Sequence, residues 1–207
     1  MIARVFFRGD SLAALKHFKA IAAMSENRVI GCGNKIPWHL PEDFKWFKKT
    51  TIGHVVVFGR RTFEGLPKAI PNRRKLVLTR HPKKLIRDNP AIFGRYKEWL
   101  GGSEPKEAYQ FRFVKLDEDA NDDIRIFNSL EKIRPEEFAC DVYICGGAEV
   151  YAQALPLCSD LYLTIVKRTV EGDAYFPAFE EMFSEGVQIE EYPDFKILHY
   201  RNRLLPA

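Results

Sequence analysis

Two short runs of aliphatic and β-branched residues restrict the fold of this chain more than any other feature. The segments HVVVF, residues 54–58, and RKLVLTR, residues 74–80, contain almost unbroken apolar stretches. A strand with one face in water alternates apolar and polar residues, whereas a strand covered on both faces does not. Helical patterns lie between these strands, so helices can cover the faces of the sheet. We therefore predict an α/β fold with a mostly parallel central sheet and helices on both faces.

The sheet is predicted to end in an antiparallel C-terminal hairpin. The strand-like segments VQIEEY and FKILHYRNR are separated by the turn residues Pro193 and Asp194. We expect a single domain over residues 19–207, preceded by an N-terminal extension, residues 1–18. Prolines, a glycine pair and an acidic run fill much of residues 81–141. That stretch is interpreted as an enlarged connection or insertion.

The bulk composition excludes several classes of protein. The 207 residues carry a formal net charge of +4, with acids and bases mixed, which is too weak a balance to predict nucleic-acid binding. The four cysteines contain no CxxC pair, so we expect reduced thiols and no metal site. No segment approaches the ~18 apolar residues that cross a bilayer. We expect a cytoplasmic monomer whose partner is a small molecule rather than a membrane or a nucleic acid.

Two strand-to-helix turns contain glycine and could bind phosphate. They are Phe58-Gly59-Arg60-Arg61-Thr62 and Cys145-Gly146-Gly147-Ala148. Backbone N–H groups at such turns bind anions, although the usual dinucleotide and P-loop fingerprints are absent from the sequence. A glycine pair after a strand is also a common packing device, and adjacent arginines often form a solvated face. These turns alone leave both interpretations open.

A third basic group strengthens the phosphate interpretation. Thr79 and Arg80 end a predicted strand, and ligands of open α/β sheets lie at the carboxyl ends of strands. Arg60, Arg61 and Arg80 could then surround an extra phosphate, because guanidinium groups bind phosphate through two parallel N–H groups. This arrangement favours NADPH over NADH.

The segment GCGNKIPWHLPEDFKWFKKTT, residues 31–51, combines a stiff aromatic loop with a helix. Pro41 suits the first helical turn, and Glu42 and Asp43 complement the positive end of the helix dipole. Helical spacing places Asp43 on one face with Phe44 and Phe47. Such a carboxylate could accept two N–H groups from a flat heterocycle, or it could simply stabilise the helix start. This helix alone does not decide between the two roles.

Six separated segments together identify a family. They are AIAAMSENRVIG, NKIPWHLPEDFKWFKKTT, VVVFGRRTFEGLP, IPNRRKLVLTR, VYICGGAEVYAQALP and LYLTIVKRTVEGDAYFP. In this order and spacing they resemble dihydrofolate reductase over most of residues 19–80 and 141–200. The resemblance implies an NADP-dependent oxidoreductase acting on a CH–NH group. It would reduce 7,8-dihydrofolate to 5,6,7,8-tetrahydrofolate for one-carbon metabolism, with hydride passing from nicotinamide C4 to pterin C6.

The resemblance assigns the catalytic roles to Asp43 and Trp38. Asp43 would hold the pterin amide N–H and 2-amino group and support protonation at N5, with a water near Trp38 carrying the proton. A carboxylate in an apolar pocket usually has a raised pKa, which suits this task. Arg73 would clamp the α-carboxylate of the glutamate tail, and Thr164 would bridge to Asp43. The implied substrate-binding residues are Ile21, Ala22, Phe44, Phe47, Leu66, Ile70, Arg73 and Thr164.

The implied NADPH site combines both glycine turns with the end of the next strand. The Gly146–Gly147 bond is a candidate non-proline cis peptide by resemblance. The loop from Gly31 to Leu40 would be a lid, and Asp173 could hydrogen-bond to it. The implied cofactor-binding residues are Ala23, Ile30, Gly31, Gly59, Arg60, Arg61, Thr62, Leu78, Thr79, Arg80, Cys145, Gly146, Gly147, Ala148, Glu149, Val150 and Tyr151. No metal is implied.

Two alternative functions make predictions that differ from those of dihydrofolate reductase. A related reductase of riboflavin synthesis shares the fold and NADPH, but it is usually attached to a zinc deaminase domain, and this sequence contains no HxE with PCxxC. A catalytically silent binding module would bind phosphate or nucleic acid without turnover, and the presence of Asp43, Trp38 and Arg73 argues against it. His39, beside the lid tryptophan, is not explained by the resemblance.

Overall fold

The computed structural model describes residues 16–66, 70–94, 96–98, 111–115 and 123–205, with residues 96–98 and 115 described by their backbone alone. The predicted extension, residues 1–18, therefore lies outside the described residues except for residues 16–18. Strand β1 begins at Phe18, which is already buried.

In the described part of the chain, ten strands form one sheet and two more form a small second sheet. The order in the main sheet is β11-β12-β9-β1-β8-β3-β4-β7-β6-β5, and β2 pairs with β10. The strands are β1 (Phe18–Ser25), β2 (Val29–Gly31), β3 (Val55–Gly59), β4 (Arg74–Leu78), β5 (Tyr96–Glu98), β6 (Phe111–Lys115), β7 (Asp123–Phe127), β8 (Val142–Ile144), β9 (Cys158–Val166), β10 (Ala174–Tyr175), β11 (Val187–Glu191) and β12 (Phe195–Arg201).

The centre of the sheet is parallel, as predicted from the apolar runs. Strands β9, β1, β8, β3, β4 and β7 are parallel neighbours. The predicted C-terminal hairpin is confirmed, because β11 and β12 pair antiparallel and β12 pairs antiparallel with β9. A second antiparallel edge was not predicted: β6 pairs antiparallel with both β7 and β5. Part of the long connection thus extends the sheet at the end opposite the hairpin.

Five α-helices occur among the described residues, and the longest is the helix predicted to start at Pro41. They are α1 (Pro41–Thr51), α2 (Arg60–Glu64), α3 (Pro82–Asp88), α4 (Pro90–Phe93) and α5 (Ala148–Ala154). In α1, Pro41 occupies the first turn, acids follow it, and lysines occupy the last turn, so its charges complement the helix dipole at both ends. Three 3-10 segments, Leu130–Lys132, Pro135–Glu137 and Leu155–Leu157, complete the helical structure there. None of the helices in the described residues has the length and apolar character to cross a membrane.

Alternate residues of the strands contribute to two hydrophobic clusters, which lie on opposite faces of the sheet. On β1, Ala20, Ala22 and Met24 pack into the cluster that contains α5, whereas Ile21 and Ala23 pack into the cluster that contains Trp46 of α1. The unbroken apolar runs of the central strands are therefore buried from both sides, which is the physical reason for their composition.

A buried carboxylate ties the second antiparallel edge to the parallel centre. Asp123, at the start of β7, has a side chain that is only 2% exposed. It accepts hydrogen bonds from the Nε atoms of Arg74 on β4 at 3.0 Å, Arg112 on β6 at 3.2 Å and Arg125 on β7 at 3.1 Å. Three neighbouring strands thus share one carboxylate.

We expect Asp123→Asn to destabilise the fold by roughly 3 kcal/mol, because removing the charge of one buried partner leaves the other charges poorly compensated. Urea unfolding of the purified chain measures this loss. Asp194→Asn, at an exposed position, changes the net charge equally and should leave the urea midpoint almost unchanged. An Asp123→Asn midpoint equal to the parent's would contradict the structural role of the cluster.

Candidate active site

Asp43 lies in the first turn of α1 and faces strand β9. Thr164 Oγ1 of β9 donates a hydrogen bond to Asp43 Oδ1 at 2.6 Å. Thr164 is 1% exposed, so this bond is shielded from bulk water. The contact predicted for Thr164 is therefore present, and it fixes the carboxylate against the sheet.

Burial controls the charge of this carboxylate. Removal from water raises the pKa of Asp43 above its ordinary value, and the hydrogen bond from Thr164 opposes this rise only in part. No basic side chain contributes to the shift among the described residues. The described residues also contain no cluster of His, Cys, Asp and Glu that could hold a metal ion. Asp43 is thus a carboxylate that a hydrogen-bonding ligand could stabilise, with no neighbouring cation already doing so.

The predicted apolar walls largely collect on the Asp43 side of the sheet. Phe44, next to Asp43 in α1, is 38% exposed, an unusual exposure for a phenylalanine. One predicted residue lies elsewhere: the side chain of Ala22 packs into the cluster on the opposite face. The predicted substrate-binding residues Ile21, Phe47, Leu66 and Ile70 share one cluster with Trp38. The predicted cofactor-binding residues Ala23 and Cys145 belong to the same cluster.

Arg73 is held by its own chain. Its Nε donates to Thr51 Oγ1 at 2.8 Å, one terminal nitrogen donates to the Pro71 carbonyl at 2.8 Å, and the other to the Lys48 carbonyl at 2.9 Å. The guanidinium carbon lies 5.8 Å from the centroid of the Phe47 ring. The described residues thus use three of the five guanidinium N–H groups, leaving one on each terminal nitrogen. Because Arg73 is only 1% exposed, a carboxylate can reach these groups only if neighbouring groups adjust.

The sequence did not point to Thr51. Its hydroxyl accepts from Arg73 and donates to the Phe47 carbonyl at 2.7 Å, and the residue is fully buried. A threonine in the last turn of a helix is ordinary, so the helical spacing from Phe47 to Thr51 was the only available signal.

The two glycine turns meet. Gly59 N donates to Gly146 O at 2.7 Å, and the Gly146–Gly147 peptide is cis. A Cβ on Gly59 would lie 3.0 Å from Val150 Cγ2, and one on Gly147 would lie 3.0 Å from Thr62 Oγ1. The absence of side chains therefore permits this close approach of the ends of β3 and β8.

Helix α5 leads from the second turn to the floor of the site. Tyr151 is buried, and its hydroxyl donates to the Ile21 carbonyl of β1 at 2.7 Å. Val150 packs beside it in the cluster opposite Asp43, to which Ile30 and Leu78 also contribute. Ala148 and Glu149 form the first turn of this helix.

The predicted phosphate-binding arginines lie at the carboxyl ends of neighbouring strands. Arg60 and Arg61 open α2 after β3, and Arg80 follows β4; Arg61 and Arg80 are exposed. Arg60 is engaged by Glu64 at 2.7 Å. Thr79 is nearly buried, and its hydroxyl accepts the His81 N–H at 3.1 Å.

The predicted lid is attached to the loop that follows β9. Asp173 N donates to Gly31 O at 3.1 Å, and both carboxylate oxygens of Asp173 accept the Gly33 N–H, at 3.2 and 3.3 Å. Trp38 is 8% exposed, whereas His39 next to it is exposed, with its ring 6.1 Å from that of Phe44. One end of the lid is thus fixed, and its tryptophan belongs to the apolar wall.

These features define a class of protein. An open α/β sheet carries paired glycine turns and arginines at the carboxyl ends of its strands, and the half-buried carboxylate of Asp43 lies beside apolar walls. This combination is typical of enzymes that bind a phosphorylated cofactor next to a small, flat substrate.

Comparison with known proteins identifies the family. The family model for dihydrofolate reductase matches residues 17–111 and 113–200. The dihydrofolate reductase of Neisseria meningitidis serogroup A is 35% identical over 161 residues, which cover 77% of this chain and 78% of that protein. That of Bacillus subtilis is 30% identical over 190 residues, covering 88% and 93%. The chain belongs to the dihydrofolate reductase family.

A solved structure agrees with this assignment. Dihydrofolate reductase from Enterococcus faecalis, in complex with NADP(H) and RAB-propyl, superposes with a TM-score of 0.62 at 26% identity, covering 90% of this chain and 96% of that one.

The raised pKa of Asp43 predicts that this residue, when ionised, lowers the free energy of unfolding. A carboxyl group whose pKa is higher in the folded state favours folding only while it is protonated, so its ionisation destabilises the fold above its ordinary pKa of ~3.9. We expect Asp43→Asn to raise the melting temperature at pH 7, with the difference vanishing below about pH 4, where the carboxyl group is protonated in both the folded and the unfolded state. Scanning calorimetry from pH 3.5 to 8 measures this. A variant less stable than the parent at pH 7 would show that ionised Asp43 is favourably paired.

Proposed function

We propose that this chain catalyses the NADPH-dependent reduction of 7,8-dihydrofolate to 5,6,7,8-tetrahydrofolate and so supplies one-carbon metabolism. The observation that carries the proposal is the half-buried Asp43 carboxylate, fixed by Thr164 and flanked by apolar walls. When bound, NADPH supplies a hydride from nicotinamide C4 to pterin C6. The cytoplasmic location and the monomeric state stay predictions from the sequence.

Asp43 would recognise the pterin and support its protonation. Its Oδ1 is engaged by Thr164, and the carboxylate has further lone pairs for the pterin amide N–H and 2-amino group. When ionised, the Asp43 carboxylate would stabilise positive charge on a protonated pterin, because opposite charges attract more strongly where burial excludes water. We propose that a water near Trp38 delivers the proton to N5.

Apolar side chains would orient the substrate and exclude water. Phe44 and Phe47 project from the same helix as Asp43, and Leu66 and Ile70 lie partly buried in the same cluster as Phe47. Ile21 and Ala23 supply the floor from β1. Holding two flat rings in register and excluding water is the main contribution that a protein makes to such a transfer.

The residues present fit a dinucleotide with an additional phosphate. The contact of Gly59 with Gly146 leaves two side-chain-free backbone segments side by side, to which the pyrophosphate can approach closely. Arg61 and Arg80 are exposed at the same edge of the sheet, and with Arg60 they would bind the adenosine phosphate. We place the other proposed cofactor residues around these turns: Ala23, Ile30, Gly31, Thr62, Leu78, Thr79, Cys145, Gly147, Ala148, Glu149, Val150 and Tyr151.

The function is tested by following the loss of NADPH absorbance with 7,8-dihydrofolate. We expect turnover by the parent chain, about 10²-fold slower turnover by Asp43→Asn at pH 7, and partial recovery near pH 5, where more substrate is protonated by solvent. Asp194→Asn is the matched control and should behave as the parent. Absence of turnover by the folded parent would refute the function, and a pH-independent deficit in Asp43→Asn would refute the role of Asp43.

Arg73 is proposed to bind the α-carboxylate of the glutamate tail through its two remaining N–H groups. We expect Arg73→Ala to raise KM for dihydrofolate about 10²-fold, and KM for a dihydropterin without glutamate less than about 3-fold. Arg73→Lys, which keeps the charge but not the paired N–H geometry, should fall between parent and alanine variant. Equal effects on both substrates would indicate that Arg73 only maintains the fold through Thr51.

A further inference from the structure

Glu64 connects the first glycine turn to the long connection. Arg60 Nη1 donates to Glu64 Oε2 at 2.7 Å, and Asn89 Nδ2 donates to Glu64 Oε1 at 3.1 Å. Two different elements therefore occupy the two carboxylate oxygens. The Glu64 side chain is 22% exposed, so the pair is partly shielded from water.

Asn89 is a rigid partner, because it joins α3 to α4. Its backbone N–H donates to the Ile86 carbonyl at 3.3 Å, and its Nδ2 also donates to the Leu85 carbonyl at 2.8 Å. Its own carbonyl accepts the N–H groups of Ile92 and Phe93, both at 3.1 Å. Leu85 and Phe93 are buried. Asn89 thus holds Glu64 against a packed pair of helices rather than against a solvated loop.

The geometry leaves one edge of Arg60 for a ligand. Within the described residues, Glu64 is the hydrogen-bond partner of Arg60, and it engages only Nη1. The Nε and Nη2 groups lie along another edge of the guanidinium, and such an edge can bind two oxygens of one phosphate.

We propose that Glu64 is a positioning residue for Arg60, and that Asn89 makes this positioning rigid. Under the proposed function, on which this inference rests, Arg60 binds the phosphate that distinguishes NADPH from NADH. A free arginine loses rotamer freedom when it binds, whereas an arginine already fixed by Glu64 loses less. Glu64 thereby increases the preference for NADPH, and the α3–α4 part of the long connection contributes to cofactor choice.

The negative charge of Glu64 opposes NADPH binding, whereas its positioning of Arg60 favours NADPH binding. A carboxylate near a phosphate repels it, but both oxygens of Glu64 are engaged by donors, and the Arg60 guanidinium lies between the two anions in the proposed complex. We therefore expect the positioning effect to exceed the repulsion.

The test measures cofactor affinity directly, by quenching of tryptophan fluorescence in the full chain at physiological ionic strength. We expect Glu64→Ala to raise the Kd for NADPH about 3- to 10-fold and to change the Kd for NADH less than about 2-fold. Asn89→Ala should act in the same direction, about 2-fold. Glu131→Ala, at an exposed position with the same change of net charge, is the matched control. Glu64→Gln, with a similar shape, provides the measurement if Glu64→Ala does not fold.

A double-mutant cycle separates this inference from the proposed function. Arg60→Ala should weaken NADPH binding about 10-fold or more, and Glu64→Ala should add nothing in that background. If Arg60→Ala does not change NADPH affinity, the proposed phosphate contact of Arg60 fails. If Arg60→Ala weakens binding but Glu64→Ala leaves it unchanged or tightens it, the positioning role of Glu64 alone is overturned. An equal loss for NADH and NADPH also overturns it, because a general structural defect does not discriminate between the cofactors.

Discussion

A hydrogen bond between two glycines brings together the parts of the molecule that form the site. Gly59 at the end of β3 donates to Gly146 after β8, at 2.7 Å. A Cβ on Gly59 would lie 3.0 Å from Val150 Cγ2, so any larger residue would require the Val150 side chain to shift. Because α2 and α5 both start from these turns, the bond sets where Arg60 and Thr62 lie relative to Tyr151. Tyr151 in turn bonds to β1, whose other face carries Ile21 beneath the apolar walls.

The site also contains a conflict between stability and function. Asp43 would be less costly to the fold as a neutral residue, since burial raises its pKa and no basic side chain in the described residues compensates its charge. Thr164 supplies one hydrogen bond and leaves the remaining acceptor capacity unused by the described side chains. If hydrogen-bond donors of the protein engaged every acceptor position of the carboxylate, its pKa would be lower. Its affinity for the N–H groups of a ligand would then also be lower. Incomplete hydrogen bonding of the carboxylate is therefore what makes this position suitable for binding.

The sequence predicts those features that follow from local chemistry. The central strands are recognisable because unbroken β-branched runs have to be buried on both faces, and α1 is recognisable from Pro41, its acids and its lysines. The period of two along β1 also places the side chain of Ala22 on the face opposite Ile21 and Ala23. In contrast, the bonds of Arg73 to Thr51 and of Glu64 to Asn89 join residues 22 and 25 positions apart. No local pattern specifies such pairs, because they depend on how whole elements pack. The second antiparallel edge was missed for a related reason. The period-two alternation of residues 110–116, QFRFVKL, predicts a strand, but it does not specify which strand lies next to it.

The position of the long connection explains how the fold can tolerate it. The connection leaves the sheet after β4 and returns to pair β7 with β4 and β6 with β7, so its described strands extend one edge and do not interrupt the parallel centre. The cost of closing a connection rises only slowly with its length. A longer connection therefore adds little free-energy cost, provided that its ends reach the same strands.

Asp123 secures the strand end of this arrangement through arginines on β4, β6 and β7, and Asn89 secures the helical end at Glu64. The two anchors have different consequences. The first lies at the amino end of β7 and serves the sheet, whereas the second lies beside the first glycine turn, which is proposed to bind the cofactor. Under the proposed role of Glu64, a change in the helical part of the connection would alter cofactor binding without disturbing Asp43.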